Sequence, residues 1–592
     1  MVRSPGLLRA LTVLAAGALV LAACGQPPAG SQSGAPQGSG SGGAKGGTVY
    51  ILTQAEQWNR IDPQRAYTGE DLAFFGATIY RSLVSYTPGE SDATKANQLI
   101  PDLATDTGTP NADATQWKFT LRDGATWQDG SPVTCEDVKY GVSRTFANDV
   151  ISEGPTYAIA YLDIPAEDDP KSTFLSKYHG PYDKGGQDLY DKAVTCDGNT
   201  ITFNLKQPVP DFNYTTTLGF SPVPQKADTG EKYDSADVVS SGPYKVDSYT
   251  TGNGGKFVLV RNENWDQASD PIRTALPDKW EVDFGIDPKI MDQRLMASNG
   301  PDATALMYGN VQPENLATIF QDPQTVNPQY QGRAWSAFDP YSIYYFINVQ
   351  KVKNEKVRQA MAVALDRQAL LLNAGGQFAG VLADGVIKPN IGQDYAETGW
   401  ATDLFGEAIP PEGNPELAKK LIQESGASAA DLSIGFNYAT SPVNEQAAAI
   451  VKSSLEKAGF KVTPKPLEPG SYYSVVFDPE KAAETGTGGW GPDWPNASTV
   501  IPPLFTQEGG WDLSQVDDPA FNQKVKDAQT ELDRATQAKM WQDLNKEAMQ
   551  HAWVIPTRFN TAQVIAGNKL GGVDYQWPPY GSWDYSQIYV KQ

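Results

Sequence analysis

The side chains that most often do chemistry are scarce here. The 592-residue chain has two histidines, His179 and His551, and three cysteines, Cys24, Cys135 and Cys196. Zinc centres draw on clustered His and Cys, and a Ser-His-Asp triad needs a histidine base. This pool supports no His- or Cys-rich metal site, and the two histidines sit in unrelated segments, which also argues against a His-based nickel site. No metal and no cofactor is expected. Carboxylates are abundant: 70 Asp and Glu stand against 47 Lys and Arg, for a net charge of −23. Nucleic-acid binding, which needs cationic contacts to phosphate, is therefore disfavoured. A glycosidase needs two carboxylates roughly 5–10 Å apart, which seventy acids do not exclude. The chain has neither a Gly-x-Ser-x-Gly elbow nor a His-Glu-x-x-His pair, so a hydrolase is the weaker reading. Aromatics are plentiful, with 14 Trp, 27 Tyr and 21 Phe. The balance favours a large binder that performs no chemistry on its ligand.

The first 23 residues read as an address. Arg3 and Arg9 precede an uncharged apolar run, Leu11–Leu21, too short to span a bilayer comfortably. Leu21-Ala22-Ala23-Cys24 matches the bacterial lipobox, so Cys24 is the expected lipidation site. The Gly-, Ser- and Pro-rich stretch after it, 24–47, reads as a flexible tether of roughly 25–30 Å. The body is then expected at the extracellular face of the cell membrane, held by its lipid anchor. An exported compartment permits disulfides, and Cys135 and Cys196 remain as a pair. Their bond would close a loop of about 60 residues and contribute roughly 4 kcal/mol; two buried free thiols are the alternative.

The elements that must position a site follow from periodicity. Trp117, Phe119 and Leu121 alternate with polar residues, as do Ile201, Phe203 and Leu205, giving half-buried strands. Phe257–Val260 is a short apolar strand. Thr134 sits three before Asp137, a capping-box start, and Val138, Val142 and Phe146 share a helical face. Tyr344–Val349 reads as a strand and Glu355–Leu372 as one helix. Pro415–Ser425 is a helix stopped by Gly426. Leu432–Tyr438, Val443–Ala458 and Phe460–Thr463 form a strand-helix-strand unit. The polar stretch 150–195, with Glu167-Asp168-Asp169, reads as a solvated surface insertion. Asp366-Arg367 reads as an ion pair at a helix end.

Four ordered segments resemble the family 5 extracellular solute-binding proteins of ABC importers, the peptide- and nickel-binding family. They are Leu121-Arg-Asp-Gly-Ala-Thr-Trp-Gln-Asp-Gly-Ser-Pro-Val-Thr-Cys-Glu-Asp-Val138, Gly242-Pro-Tyr-Lys-Val246, Asn348-Val-Gln-Lys with Val357-Arg-Gln-Ala360 and Leu365-Asp-Arg367, and Gly489-Trp-Gly-Pro-Asp-Trp494. The resemblance runs from about residue 46 to the C-terminus. It implies an α/β, two-lobed periplasmic-binding-protein-like fold (type II, cluster C) with the ligand cleft between the lobes. Lobe I would be 46–340 plus 557–592, with a subdomain at about 89–209; lobe II would be 341–556, and hinge strands would lie near 338–343 and 554–560.

The candidate site is the segment from Gly489 to Asn496. Gly489 and Gly491 let another backbone approach closely, and Trp490 and Trp494 offer apolar walls. The resemblance implies that Asp493 pairs with the α-ammonium of a bound peptide, a charge-assisted hydrogen bond. A turn-capping aspartate in a Pro-Gly loop is the bland alternative. It also implies that Gln57 and Trp58 lie at the ligand, Trp58 as a cleft wall, with core packing the competing reading. For Tyr344, near the expected hinge, core packing is favoured over ligand contact. The implied function is a monomeric, lipid-anchored receptor that delivers oligopeptides to ABC permease subunits. A receptor for oligosaccharides, which stack on aromatic faces, is the alternative within the family; a secreted hydrolase, or a sensor or adhesion lipoprotein reusing the fold, stands outside it.

Overall fold

In a computed structural model, residues 43–592 are described except Pro170 and Lys184. The signal sequence, Cys24 and the tether up to residue 42 lie outside the described residues. Local chemistry sets the helix starts. The Thr134 hydroxyl accepts from the Asp137 N–H, and the Asp137 carboxylate accepts from the Thr134 N–H at 2.9 Å, opening the helix Cys135–Arg144. Its inner face buries Val138 and Val142 against a four-stranded sheet whose central strands are Gln116–Thr120 and Thr200–Asn204. A Cys135–Cys196 disulfide joins this helix to the strand Val194–Asp197. The stretch 150–195 is more than a surface insertion. Ile159, Leu162, Tyr178 and Tyr190 complete this core, because apolar residues spaced among polar ones still converge once the chain folds back.

A second core is built on a five-stranded sheet in the order Ala305–Tyr308, Thr48–Thr53, Lys279–Asp283, Lys256–Arg261 and Tyr244–Thr250. The first three strands run parallel and the rest antiparallel. A third core surrounds a six-stranded sheet ordered Gly380–Leu382, Val554–Ile565, Ala334–Ile347, Thr485–Trp490, Ser433–Ala439 and Lys461–Leu467. Its last two strands pair in parallel across the helix Pro442–Lys457, giving the expected strand-helix-strand unit. Gly426 closes Pro415–Ser425 in the left-handed conformation at φ 65°. The helix expected over Glu355–Leu372 is two helices, Glu355–Ala364 and Arg367–Asn373. The Asp366 carboxylate turns back to accept from the Ala369 N–H at 2.8 Å, starting a new helix where periodicity alone reads on. Arg367 is not its ion-pair partner: its guanidinium is buried over Trp400 and donates to the carbonyls of Ala383 and Pro556.

Two long strands connect the second and third cores. Ala334–Ile347 begins ten residues before the expected Tyr344. Ala334 and Trp335 lie in one core, and Tyr344–Ile347 in the other. Its antiparallel partner Val554–Ile565 makes the same crossing, with Val554 and Ile555 in one core and Ala562, Val564 and Ile565 in the other. The fold is thus two-lobed. Pairing between these strands breaks register between Phe338 and Ser342. Lys388 fills the break: its buried ammonium donates to the Asp339 carboxylate at 3.0 Å and to the carbonyls of Asp339, Tyr341 and Asn560. Burial pulls its pKa down to about 8 against the opposing attraction of Asp339.

Candidate functional site

Asp493 follows the strand Thr485–Trp490, which pairs antiparallel with Ser342–Ile347. The loop beyond it turns on its own polar groups. The Asp493 N–H donates to Thr499 Oγ1 at 3.2 Å, and the Trp490 indole donates to the Thr499 carbonyl at 2.6 Å. The Trp494 indole donates to Asp211 Oδ2 at 2.7 Å, and Ser498 Oγ donates to the same oxygen at 2.8 Å. Asp211 follows the four-stranded sheet, so these two bonds fasten the loop to the segment beyond that sheet. Burial raises the Asp211 carboxyl, and the Trp494 and Ser498 donors oppose that rise.

The Asp493 carboxylate accepts from the Tyr157 hydroxyl and also faces the phenol of Tyr67. It forms no ion pair with any described residue. Desolvation lifts its pKa to about 6, and the two phenols pull the other way. It lines a cavity of about 80 Å³ shared by Tyr67, Glu70, Tyr341, Gly491 and Tyr580. A second cavity of about 110 Å³ also includes Glu70 and Tyr341 in its lining and reaches Asp339. Tyr341 is adjacent to the register break, so the cavity sits where the crossing strands deform. The arrangement presents a desolvated carboxylate, ringed by phenols, to whatever occupies the space between the lobes. Among the described residues no cluster of His, Cys, Asp and Glu is placed to hold a metal ion.

The other expected site residues fall into different roles. Trp490 and Trp494 do not wall the cavity. Trp494 is buried against the Tyr157 ring at 4.7 Å, and Trp490 packs on Trp511 at 5.3 Å, so both anchor the loop through their indole N–H groups. Trp58 is no cleft wall either. It lies in an aromatic core with Phe74, Phe75, Phe257, Phe284 and Tyr308, of which its polar neighbours in sequence give no sign. Gln57 is exposed and is not part of the cavity lining. Tyr344 is core, the reading favoured for it. The glycines let this chain's own neighbouring strand approach closely, and Gly491 also lines the cavity. A Cβ on Gly489 would lie 3.2 Å from Ile343 Cδ1, and one on Gly491 would lie 3.1 Å from Pro340 Cβ. Gly488 is tighter, with Tyr344 Cζ at 2.7 Å from an added Cβ. Gly488→Ala must displace a buried ring and is expected to cost about 1–3 kcal/mol, read as a lowered thermal midpoint. An unchanged midpoint would mean the strand shifts freely here.

Tyr67, Glu70, Tyr157, Tyr341 and Tyr580 are site residues that sequence reasoning does not reach. They come from four separated segments, and none stands in a periodic or motif context of its own.

Two lobes joined by a pair of crossing strands, with a cavity beside those strands, are the architecture of a solute-binding protein. The chain matches the model of the bacterial extracellular solute-binding proteins, family 5, over residues 98–512. It belongs to that family, the solute-binding proteins of ABC importers. It is 26% identical over 500 residues to the periplasmic oligopeptide-binding protein OppA of Salmonella typhimurium, covering 81% of this chain and 82% of that protein. The oligopeptide-binding protein OppA of Bacillus subtilis is 23% identical over 569 residues, 94% of each chain. Among solved structures, the clavulanic acid biosynthesis oligopeptide binding protein 2 superposes with a TM-score of 0.78 at 26% identity, covering 93% of this chain and 96% of that one.

Proposed function

We propose that this protein captures peptides outside the cell and delivers them to the permease of an ABC importer, with Asp493 receiving the peptide α-ammonium. One observation carries the reading: a half-buried carboxylate without a cationic partner lines the interlobe cavity. A free ammonium supplies the missing charge, and a charge-assisted hydrogen bond is strong where water is excluded. Relatives named for oligopeptide binding support the ligand class. An oligosaccharide is less suited: Asp493 offers a charge that a neutral sugar does not need, and no tryptophan lines the cavity that holds it. In this reading the lobes are 46–340 with 557–592, and 341–556; lobe closure on the peptide forms the surface that docks on the permease. Cys24 carries the lipid that keeps the body at the extracellular membrane face, and the receptor works as a monomer without chemistry on its ligand.

The test is calorimetric titration with the tripeptide Ala-Ala-Ala and its N-acetylated form. Acetylation is expected to weaken binding at least tenfold, since it removes the only cation that Asp493 can meet. Equal affinity for the two forms would overturn the assignment.

A further inference from the structure

Asp493 is not the only unpaired carboxylate in the cavity. Glu70, in the first turn of the helix Gly69–Thr78, lines the 80 Å³ cavity with Asp493 and also lines the 110 Å³ cavity beyond it. Its neighbours in the acidic group are satisfied: Asp71 accepts from the Tyr308 hydroxyl, and Asp339 is paired with Lys388 at 3.0 Å. Glu70 forms no ion pair among the described residues, and no other described side chain donates a hydrogen bond to it. No Lys, Arg or His lines either cavity.

A carboxylate in a first helical turn is ordinary, because the helix N-terminus favours negative charge. That accounts for Asp71 as well as Glu70, but not for a half-buried Glu70 lining the same cavity as Asp493 with no cation beside either. Both carboxylates have lost part of their hydration, and no cation of the chain offsets either loss. Burial is the main reason the Glu70 carboxyl titrates above its ordinary range, and the negative charges of Asp71 and Asp339 add to it. A ligand with one ammonium relieves Asp493 and leaves Glu70 exposed to the same penalty. A ligand with two cationic groups relieves both.

We propose that the cavity selects a doubly cationic ligand end: a peptide whose first residue carries a basic side chain, its α-ammonium on Asp493 and its side-chain cation on Glu70. The phenol side chains of Tyr67, Tyr341 and Tyr580 border the same space, and an aromatic ring can hold a planar guanidinium by cation–π contact. Arginine is therefore favoured over lysine, because its fork can meet a carboxylate with two hydrogen bonds. This inference rests on the assignment of Asp493 to the peptide amine.

The experiment titrates the purified full chain with Arg-Ala-Ala, with citrulline-Ala-Ala as its uncharged isostere, and with agmatine, which carries a guanidinium and an amine but no peptide. Arg-Ala-Ala is expected to bind at least tenfold more tightly than the citrulline peptide, and Glu70→Gln is expected to bring that ratio close to one. Equal affinity for the two peptides in the wild-type chain, or a ratio that survives Glu70→Gln, overturns the role of Glu70 while leaving the peptide reading standing. Binding of agmatine with no binding of either peptide would instead keep the two-cation site and overturn the peptide reading. Failure of all three ligands overturns both.

Discussion

Asp493→Asn is expected to weaken binding of free-amine peptides by roughly 2–4 kcal/mol, or about 30- to 700-fold in Kd, while making the unliganded protein more stable. Both effects have one cause. The carboxylate is held in a desolvated cavity, with only the Tyr157 and Tyr67 phenols to serve it. Its folded pKa of about 6 lies above the ordinary 3.8. Between those two pH values the native state holds more protons than the unfolded state. Stability from this group therefore falls as pH rises through that window, and it is lowest where the carboxylate is ionised. That difference corresponds to about 3 kcal/mol, which partial solvent access reduces to roughly 1–2 kcal/mol. Asparagine removes the charge, so the variant should recover that amount at neutral pH. Ligand affinity has the opposite slope. An ammonium pairs with the ionised form, so the wild-type Kd should rise about tenfold per pH unit below 6, until the bound-state pKa is reached. The variant should show no such step. Calorimetric titrations at several pH values and thermal melts of the unliganded protein read both quantities. A variant that loses affinity without gaining stability would indicate that the introduced amide disturbs the loop through Thr499, and a variant that binds normally would remove Asp493 from the site altogether.

The parts of this molecule that the sequence discloses are those whose physics is local. The Thr134–Asp137 capping box, the Gly426 stop and the alternation at Trp117–Leu121 each depend on residues within a few positions of one another. Where a local pattern is ambiguous, the reading fails in identifiable ways. Nothing in the periodicity of Glu355–Leu372 marks the restart, because Asp366 acts through a backbone hydrogen bond and not through its hydrophobicity. Trp58 stands among polar residues whether it faces a cleft or a core, and only the convergence of Phe257, Phe284 and Tyr308 from distant segments decides it. The site repeats this contrast. Asp493 is legible because a contiguous motif carries it. Tyr157, Tyr341, Tyr580 and Glu70 reach it from separate segments, and a scattered tyrosine looks the same in sequence wherever it ends up. Trp490 and Trp494 belong to the expected segment but have a different task, since an indole has both a face and an N–H donor, and here the donor determines its position.

The helix that carries Glu70 depends on a buried charge network, and Arg273→Met should cost about 3–5 kcal/mol of folding stability. The Arg273 guanidinium donates to the Gly76 carbonyl at 2.8 Å and to the Tyr80 carbonyl at 3.0 Å, holding the C-terminal end of the helix Gly69–Thr78 and the residues after it. The same group donates to Asp102 Oδ2 at 2.8 Å and to Asp270 Oδ2 at 3.0 Å, and Arg81 Nε donates to Asp102 Oδ1 at 2.8 Å. All four side chains are buried, so two positive and two negative charges balance without water. Burial alone would raise the Asp270 carboxyl, but Arg273 and Arg81 hold it at about 2. With an unfolded value of 3.8, its contribution is fully present above that pH and is lost as pH falls through about 2. Methionine fills much of the arginine's volume, so the expected loss comes from two carboxylates left with one cation between them, together with two carbonyls left without a donor. Two further measurements separate this from a packing defect. The deficit should shrink as pH is lowered toward about 4, where the orphaned carboxylates can protonate, and Arg273→Met combined with Asp270→Asn should recover a substantial part of it. A packing defect would respond to neither, and a total loss below about 1 kcal/mol would mean that the network positions the helix without stabilising the fold. Because Gly76 and Tyr80 lose their donor in either variant, the arginine-over-citrulline preference assigned to Glu70 should fall in both, even where stability is restored.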